Sequence, residues 1–228
     1  AILSHAQAGT LILNNGDSLI TTNDIGENPV EIVNFDSDIG NYSGAQALTM
    51  VGNELYWTDY SRSAVYKCGL DGSGVAKAFD LTETSTVGTG LAYADPYLYW
   101  TDMNDNQIIR ATLDGSSIEV IVDMADPSDN EVSIRNLIVY GGQLYWTLSE
   151  FNSTAGIYRS ELDGSNVTMV YDSGSSFIDH LTEANGRFYW AESFNDIYTS
   201  PVGFADVQFL IDAVNYFGTE LGWWSVQA

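Results

Sequence analysis

Tyr56-Trp57-Thr58-Asp59 returns as Tyr99-Trp100-Thr101-Asp102, then with substitutions as Tyr145-Trp146-Thr147-Leu148 and Tyr189-Trp190-Ala191-Glu192. The four tryptophans are 43, 46 and 44 residues apart. A period in the forties, carried by short aromatic and β-branched runs, means one small antiparallel sheet per repeat, which is the sequence pattern of a β-propeller.

Working outward from the tetrapeptide, each repeat reads as four strands. A leucine stands nine residues before each tryptophan, at Leu48, Leu91, Leu137 and Leu181, and marks a first strand. The tetrapeptide is the second. Ala64 to Lys67, Gln107 to Arg110 and Gly156 to Arg159 form a third, which ends in Leu70-Asp71-Gly72, Leu113-Asp114-Gly115 and Leu162-Asp163-Gly164. Asp-Gly between two β-rich runs signals a chain reversal, because glycine takes the positive φ that a turn demands. Val75 to Phe79, Ile118 to Val122 and Val167 to Tyr171 are the fourth.

Weaker copies flank the clear ones. Leu11 to Asn15 takes the place of the second strand ahead of Tyr56, and Leu221 to Ser225, with Trp224, repeats it once more. The expectation is an all-β, six-bladed propeller with four-stranded antiparallel blades over roughly 1–35, 36–80, 81–123, 124–172, 173–212 and a partial 213–228. The sixth blade stops at Ala228 without its outer two strands. Downstream polypeptide, N-terminal residues or a strand from a second molecule would complete it, because an open strand edge presents unpaired N–H and C=O groups.

Alternate residues of the second strand point into opposite inter-blade contacts. The motif aromatics Tyr56, Trp57, Tyr99, Trp100, Tyr145, Trp146, Tyr189, Trp190 and Trp224 are therefore expected in the inter-blade core, where each buries on the order of 150 to 250 Å². A tight connection after the motif sets Lys67 across from Tyr56, Arg110 across from Tyr99 and Arg159 across from Tyr145, with Asp59 or Asp102 near the cation. Cys68 aligns with Ala111 and Ser160, which makes it a small buried position and not a reactive thiol.

Thirty-one acids stand against seven Lys plus Arg, a net charge of −24. Such a field repels nucleic acid and anionic membrane and attracts cations or basic surfaces. No apolar run approaches the roughly 20 residues of a spanning helix, so direct membrane insertion is not expected. The sequons at Asn41, Asn152 and Asn166 are glycosylation candidates and fit a secretory route.

With two intact Tyr-Trp-Thr-Asp tetrapeptides, Ile-Tyr-Arg-like third strands and three Leu-Asp-Gly turns, the chain from about Ala45 to Ile211 resembles the YWTD, or low-density-lipoprotein-receptor class B, repeats. The resemblance implies a six-bladed extracellular module that binds protein partners or serves as a rigid spacer, without catalysis. WD40 repeats fit less well, since their Gly-His element is missing.

By strand parity, the loop after each second strand and the link to the next blade leave on one face, and more than half of the 31 acids fall there. Asp126, Asp129 and Glu131 are the densest group. The expected partner is a protein with a basic surface, or Ca²⁺. Asp102, Asn104 and Asn106 imitate the start of a calcium loop, but Gln107 and Leu113 stand where that loop needs glycine and glutamate, so a hairpin turn is the preferred reading. Near the starts of the first strands lie Gln46, Arg135, Asp179 and His180, which would flank a central channel. A calcium-dependent lactonase or esterase would draw on Asn136, Asp179 and Glu183, whereas no Ser-His-Asp grouping or metal-spaced histidine pair is present. The remaining alternative is a structural subunit of a secreted filament or coat, self-assembled through the unfinished blade.

Overall fold

A computed structural model describes residues 2–7, 10–14, 17–23, 28–40, 45–81, 87–125, 132–150, 155–174, 177–193 and 196–212. They form five four-stranded antiparallel sheets in strict chain order. The first comprises β1 (Ile2–Gln7), β2 (Thr10–Asn14), β3 (Ser18–Asn23) and β4 (Val30–Asn34), and the second β5 (Ala45–Val51), β6 (Glu54–Asp59), β7 (Ala64–Gly69) and β8 (Ala76–Asp80). The third holds β9 (Val87–Ala94), β10 (Tyr97–Asp102), β11 (Gln107–Thr112) and β12 (Ile118–Asp123). The fourth holds β13 (Val132–Tyr140), β14 (Gln143–Glu150), β15 (Gly156–Glu161) and β16 (Thr168–Asp172), and the fifth β17 (Ile178–Ala184), β18 (Arg187–Glu192), β19 (Asp196–Pro201) and β20 (Gln208–Asp212). Residues 213–228, Trp224 included, lie outside the described residues.

First strands of consecutive sheets touch: β1 meets β5, β5 meets β9, β9 meets β13 and β13 meets β17. The sheets are thus set side by side on their first strands, with the fourth strands outermost. Trp57, Trp100, Trp146 and Trp190 are all 0 % exposed. Trp57 packs with Leu19 and Val33 of the sheet before it and with Phe35 just beyond that sheet, and Trp100 with Tyr56, Val65 and Phe79. The neighbouring tyrosine points the other way, so Tyr99 packs with Trp146 and Tyr145 with Trp190. Each tetrapeptide therefore supplies one ring to the contact behind and one to the contact ahead, as period-two alternation requires.

Behind three of the tryptophans lies a second aromatic layer, Trp57 stacking on Tyr66, Trp146 on Tyr158 and Trp190 on Tyr198 with ring centroids 5.8 to 6.1 Å apart, while Ile109 takes that place opposite Trp100. The residue two before the tryptophan, Leu55, Leu98, Leu144 or Phe188, opposes Cys68, Ala111, Ser160 or Ser200. All four small residues are buried. Burial pushes the Cys68 thiol up to about 12, which makes it inert in the native fold.

The Leu-Asp-Gly segments sit inside longer connections than a two-residue hairpin, and their glycines meet two demands. Gly72 and Gly164 have φ of +81° and +82°, and a Cβ there would strike the carbonyl of Ile32 or Ile121 on the preceding sheet's outer strand. Each such turn is pressed against its neighbour. The aspartate organises the turn, Asp71 accepting the Ser73 N–H, Asp114 that of Ser116 and Asp163 that of Ser165.

The cations stand where the register places them, Lys67 opposite Tyr56, Arg110 opposite Tyr99 and Arg159 opposite Tyr145. Their acidic partners, however, are not Asp59 and Asp102. Lys67 pairs with Glu54 at 2.9 Å and lies over the Tyr56 ring, and Arg110 pairs with Glu119 and lies over Tyr97. Alternation explains the correction: Asp59 and Asp102 are an odd number of steps from the tyrosine and face the opposite side of the sheet.

Candidate functional site

Every first strand from the second sheet to the fifth carries a β-bulge, opposite the third residue of the tetrapeptide in the second, third and fourth sheets and one step along, opposite Trp190, in the fifth. A bulge leaves a strand N–H outside the ladder. In the second and third sheets the motif threonine takes that proton, Thr58 Oγ1 accepting the Ala47 N–H at 3.2 Å and Thr101 Oγ1 accepting the Gly90 N–H at 3.3 Å. The fifth sheet has Ala191 in place of threonine. There the Asp179 carboxylate, 1 % exposed, accepts the His180 N–H at 2.7 Å, with His180 at φ +56°.

Asp179 also faces the neighbouring first strand, where Arg135 Nη1 lies 3.5 Å from Asp179 Oδ2. The Arg135 guanidinium rests 5.0 Å from the centre of the Phe177 ring. His180 Nδ1 stands 4.0 Å from the same carboxylate. Gln46 occupies the corresponding bulge of the second sheet and is half-buried. The predicted channel residues are thus brought to one level, and the sequence reading missed what gathers them. A signal was present: the acid at 179 appears only in the repeat that lacks the threonine.

Around the fourth sheet the capping scheme fails. Thr147 Oγ1, Asn136 Oδ1, Arg135 Nε and Thr89 Oγ1 are buried and have no hydrogen-bond partner among the described residues. Thr89 is the bulge residue of the third sheet, and a Cβ on the adjoining Gly90 would strike the backbone of Arg135 and Leu137. The four atoms therefore belong to neighbouring strands at one height. Asn136 is not joined there by Glu183, which lies four residues further along β17, about 13 Å of extended strand, and accepts the Gly186 N–H at the hairpin turn.

The loops on the acidic face are tied together by backbone bonds that confirm strand parity: Phe35 N–H to Asp17 O, Leu81 N–H to Ser63 O, Met124 N–H to Asn106 O and Ser173 N–H to Ala155 O. Asp17, Asp36, Asp38, Asp80, Asp105, Asp123 and Asp172 are exposed there. Asp126, Asp129 and Glu131 lie outside the described residues, as do the sequons' Asn41 and Asn152. Asn166 is exposed, at φ +60°, on the opposite face.

Four of the acids assigned to that face from the sequence are buried and committed inward, which corrects the count. Asp59 accepts from the Arg62 backbone and pairs with its guanidinium at 2.9 Å, while Arg62 reaches the Gly40 carbonyl in the preceding link. Asp102 accepts the N–H groups of Asn104 and Asp105, closing the hairpin turn. Asn106 turns its amide oxygen to the Ile134 N–H, away from Asp102. Asp179 caps the bulge. Glu192 accepts hydrogen bonds from the Trp190 indole and the Tyr171 hydroxyl, both at 2.8 Å. Burial raises its carboxyl above the usual range, against the lowering effect of those two bonds, and the Tyr171 hydroxyl is raised by burial and by Glu192. Among the described residues no three His, Cys, Asp or Glu side chains gather closely enough to hold a metal ion, and no helix is long and apolar enough to cross a membrane.

This arrangement of sheets is shared with solved structures. A chain of a nidogen/laminin complex superposes with a TM-score of 0.74 at 18 % identity, over 90 % of this chain and 78 % of that one. The fold is that of a β-propeller. A virginiamycin B lyase from Staphylococcus aureus follows, with TM-score 0.66 and 16 % identity over 91 % of this chain and 68 % of the lyase. A Bacteroides thetaiotaomicron protein of unknown function also gives 0.66 and 16 %, over 93 % of this chain, which spans only 60 % of that protein. No protein-family model matches the sequence, and no curated protein matches it.

Proposed function

We propose that the chain is a non-enzymatic, extracellular protein-binding or scaffold propeller whose acidic face receives a basic protein surface. The observation that carries the reading is the row of exposed aspartates on the loops of one face, in a chain of net charge −24. A face of one sign concentrates oppositely charged partners and speeds their encounter. The shared fold with a chain of a nidogen/laminin complex supports a binding role, and the sequons support a secretory route. Ca²⁺ is the second ligand proposed for the same face, since carboxylate oxygens suit a hard cation.

The reading includes a sixth blade. Tyr189 and Ile197, on the forward side of the fifth sheet, are half-buried, whereas their equivalents Tyr56, Tyr99 and Tyr145, and Val65, Ile108 and Ile157, are buried by the next sheet. A further sheet on that side, from the parent polypeptide or from a second copy in a filament or coat, would restore the repeating contact.

The test is binding of an oligolysine peptide and of Ca²⁺ to the intact chain and to a variant with Asp126, Asp129 and Glu131 changed to lysine. The reading expects salt-sensitive peptide binding that weakens about tenfold in the variant. Equal affinity of the two proteins at every salt concentration contradicts it.

A further inference from the structure

Thr89 Oγ1, Arg135 Nε, Asn136 Oδ1 and Thr147 Oγ1 are buried without partners among the described residues beside bulges whose strand N–H is capped by a side-chain oxygen in the second, third and fifth sheets. Leaving a buried donor or acceptor unmet costs about 1–3 kcal/mol each, so four in adjacent strands make a site that a bound group would stabilise. Native structures resolve such groups with ordered water or a ligand. The level is also reachable, since the side chains of Arg135 and His180 keep 17 % and 20 % of their surface exposed.

The chemistry of the unmet atoms restricts the occupant. Arg135 Nε is a donor and nothing else, Asn136 Oδ1 is an acceptor and nothing else, and the hydroxyls of Thr89 and Thr147 do both. A ligand must therefore accept and donate at once. It must also be neutral. The Arg135 charge is already faced by Asp179, so an anion would meet that carboxylate and the −24 field, while a cation would meet the guanidinium.

We propose that the bulges of β9 and β13, together with Asp179 on β17, bind a small neutral group that both donates and accepts hydrogen bonds, of the carboxamide or vicinal-diol kind. Arg135 Nε gives a proton to its oxygen, Asn136 Oδ1 takes one from its N–H or O–H, and the two threonine hydroxyls complete the shell. Asp179 is a positioning residue that holds the guanidinium. The inference is independent of the acidic face and goes beyond it.

The experiment is ¹H–¹⁵N NMR of the arginine Nε–H signals of the intact chain, with the Arg135 signal assigned by Arg135→Lys. Acetamide and glucose are the two neutral probes, and acetate and methylammonium the charged ones. The proposal expects saturable shifts of the Arg135 signal with acetamide or with glucose, whichever carries the matching group, and binding about tenfold weaker in both Asn136→Leu and Thr89→Val. It expects none with the charged probes. Thr89→Val keeps shape and removes only the hydroxyl, so it decides the question if Asn136→Leu fails to fold. No saturable shift with either neutral probe, equal shifts with the charged ones, or a crystal structure in which water bonds all four atoms and neither probe displaces it, overturns the proposal.

Discussion

Trp190 donates its indole N–H to Glu192 at 2.8 Å, whereas the indoles of Trp57, Trp100 and Trp146 have no such partner among the described residues. The acceptor stands two positions after the tryptophan, on the same side of the strand. Asp59 and Asp102 hold that place in two other repeats and turn instead to their loops, and Leu148 offers no acceptor. The extra methylene of glutamate allows the return to the indole and to Tyr171 of the preceding sheet.

Burial of the Glu192 carboxyl, which outweighs the lowering effect of these hydrogen bonds, gives stability a pH dependence of known sign. Folding raises the Glu192 carboxyl from 4.5, so its contribution is fully present below about pH 4.5 and is lost as pH rises through the folded value. Between those two values stability falls by about 1.4 kcal/mol per pH unit. Glu192→Gln keeps an acceptor and abolishes the titration. Thermal unfolding at pH 4 and pH 7.5 is expected to show the variant gaining on the wild type at the higher pH. Parallel Tm curves for the two proteins would refute the assignment.

The bulge caps predict a rescue. Asp179→Ala frees the part-buried His180 N–H and strips Arg135 of its acidic partner, with an expected loss of about 2–4 kcal/mol in urea unfolding. Adding Ala191→Thr restores the hydroxyl that Thr58 and Thr101 supply elsewhere and should recover about 1 kcal/mol. In the presence of Asp179 the same threonine should gain nothing. Simple additivity of the two substitutions would show that Asp179 does not replace the motif hydroxyl.

Two glycines with the same sign of φ separate conformation from crowding. Gly52, at φ +61° with nothing near its Cβ position, should lose about 1 kcal/mol on substitution by alanine. Gly164→Ala carries the same backbone cost plus a collision with the Ile121 carbonyl, and should lose at least about twice as much. Denaturant midpoints measure both; equal losses would mean that the Leu-Asp-Gly turns do not press on the preceding sheet.

Cys68 should resist alkylation by iodoacetamide in the native protein at pH 8 and react promptly in urea, because burial keeps the thiol protonated. Cys68→Ser should leave stability nearly unchanged, since Ser160 and Ser200 fill the same buried position. Rapid native labelling would place the second-sheet core in error.

The sequence displays the fold because its period-two and repeat-length signals both arise from the same aromatic strand: Trp57 and Tyr56 face opposite sheets by geometry alone, and four copies repeat the message. The site is less legible. That Asp59, Asp102, Asp179 and Glu192 would be buried does not follow from their places near strand ends, because each is turned inward by a particular N–H or cation, and a bulge has no residue of its own to announce it. The partners of Lys67 and Arg110 depart from expectation for a simpler reason, the alternation of side chains that puts Asp59 behind the sheet from Tyr56.

The central claim is that successive sheets stand side by side on their first strands with the motif rings closed between them. A crystal structure tests it most directly. The account predicts β5, β9, β13 and β17 adjacent in that order around an axis, with Trp57, Trp100, Trp146 and Trp190 each enclosed between consecutive sheets. Indoles open to solvent, or sheets piled in a linear stack, would contradict it.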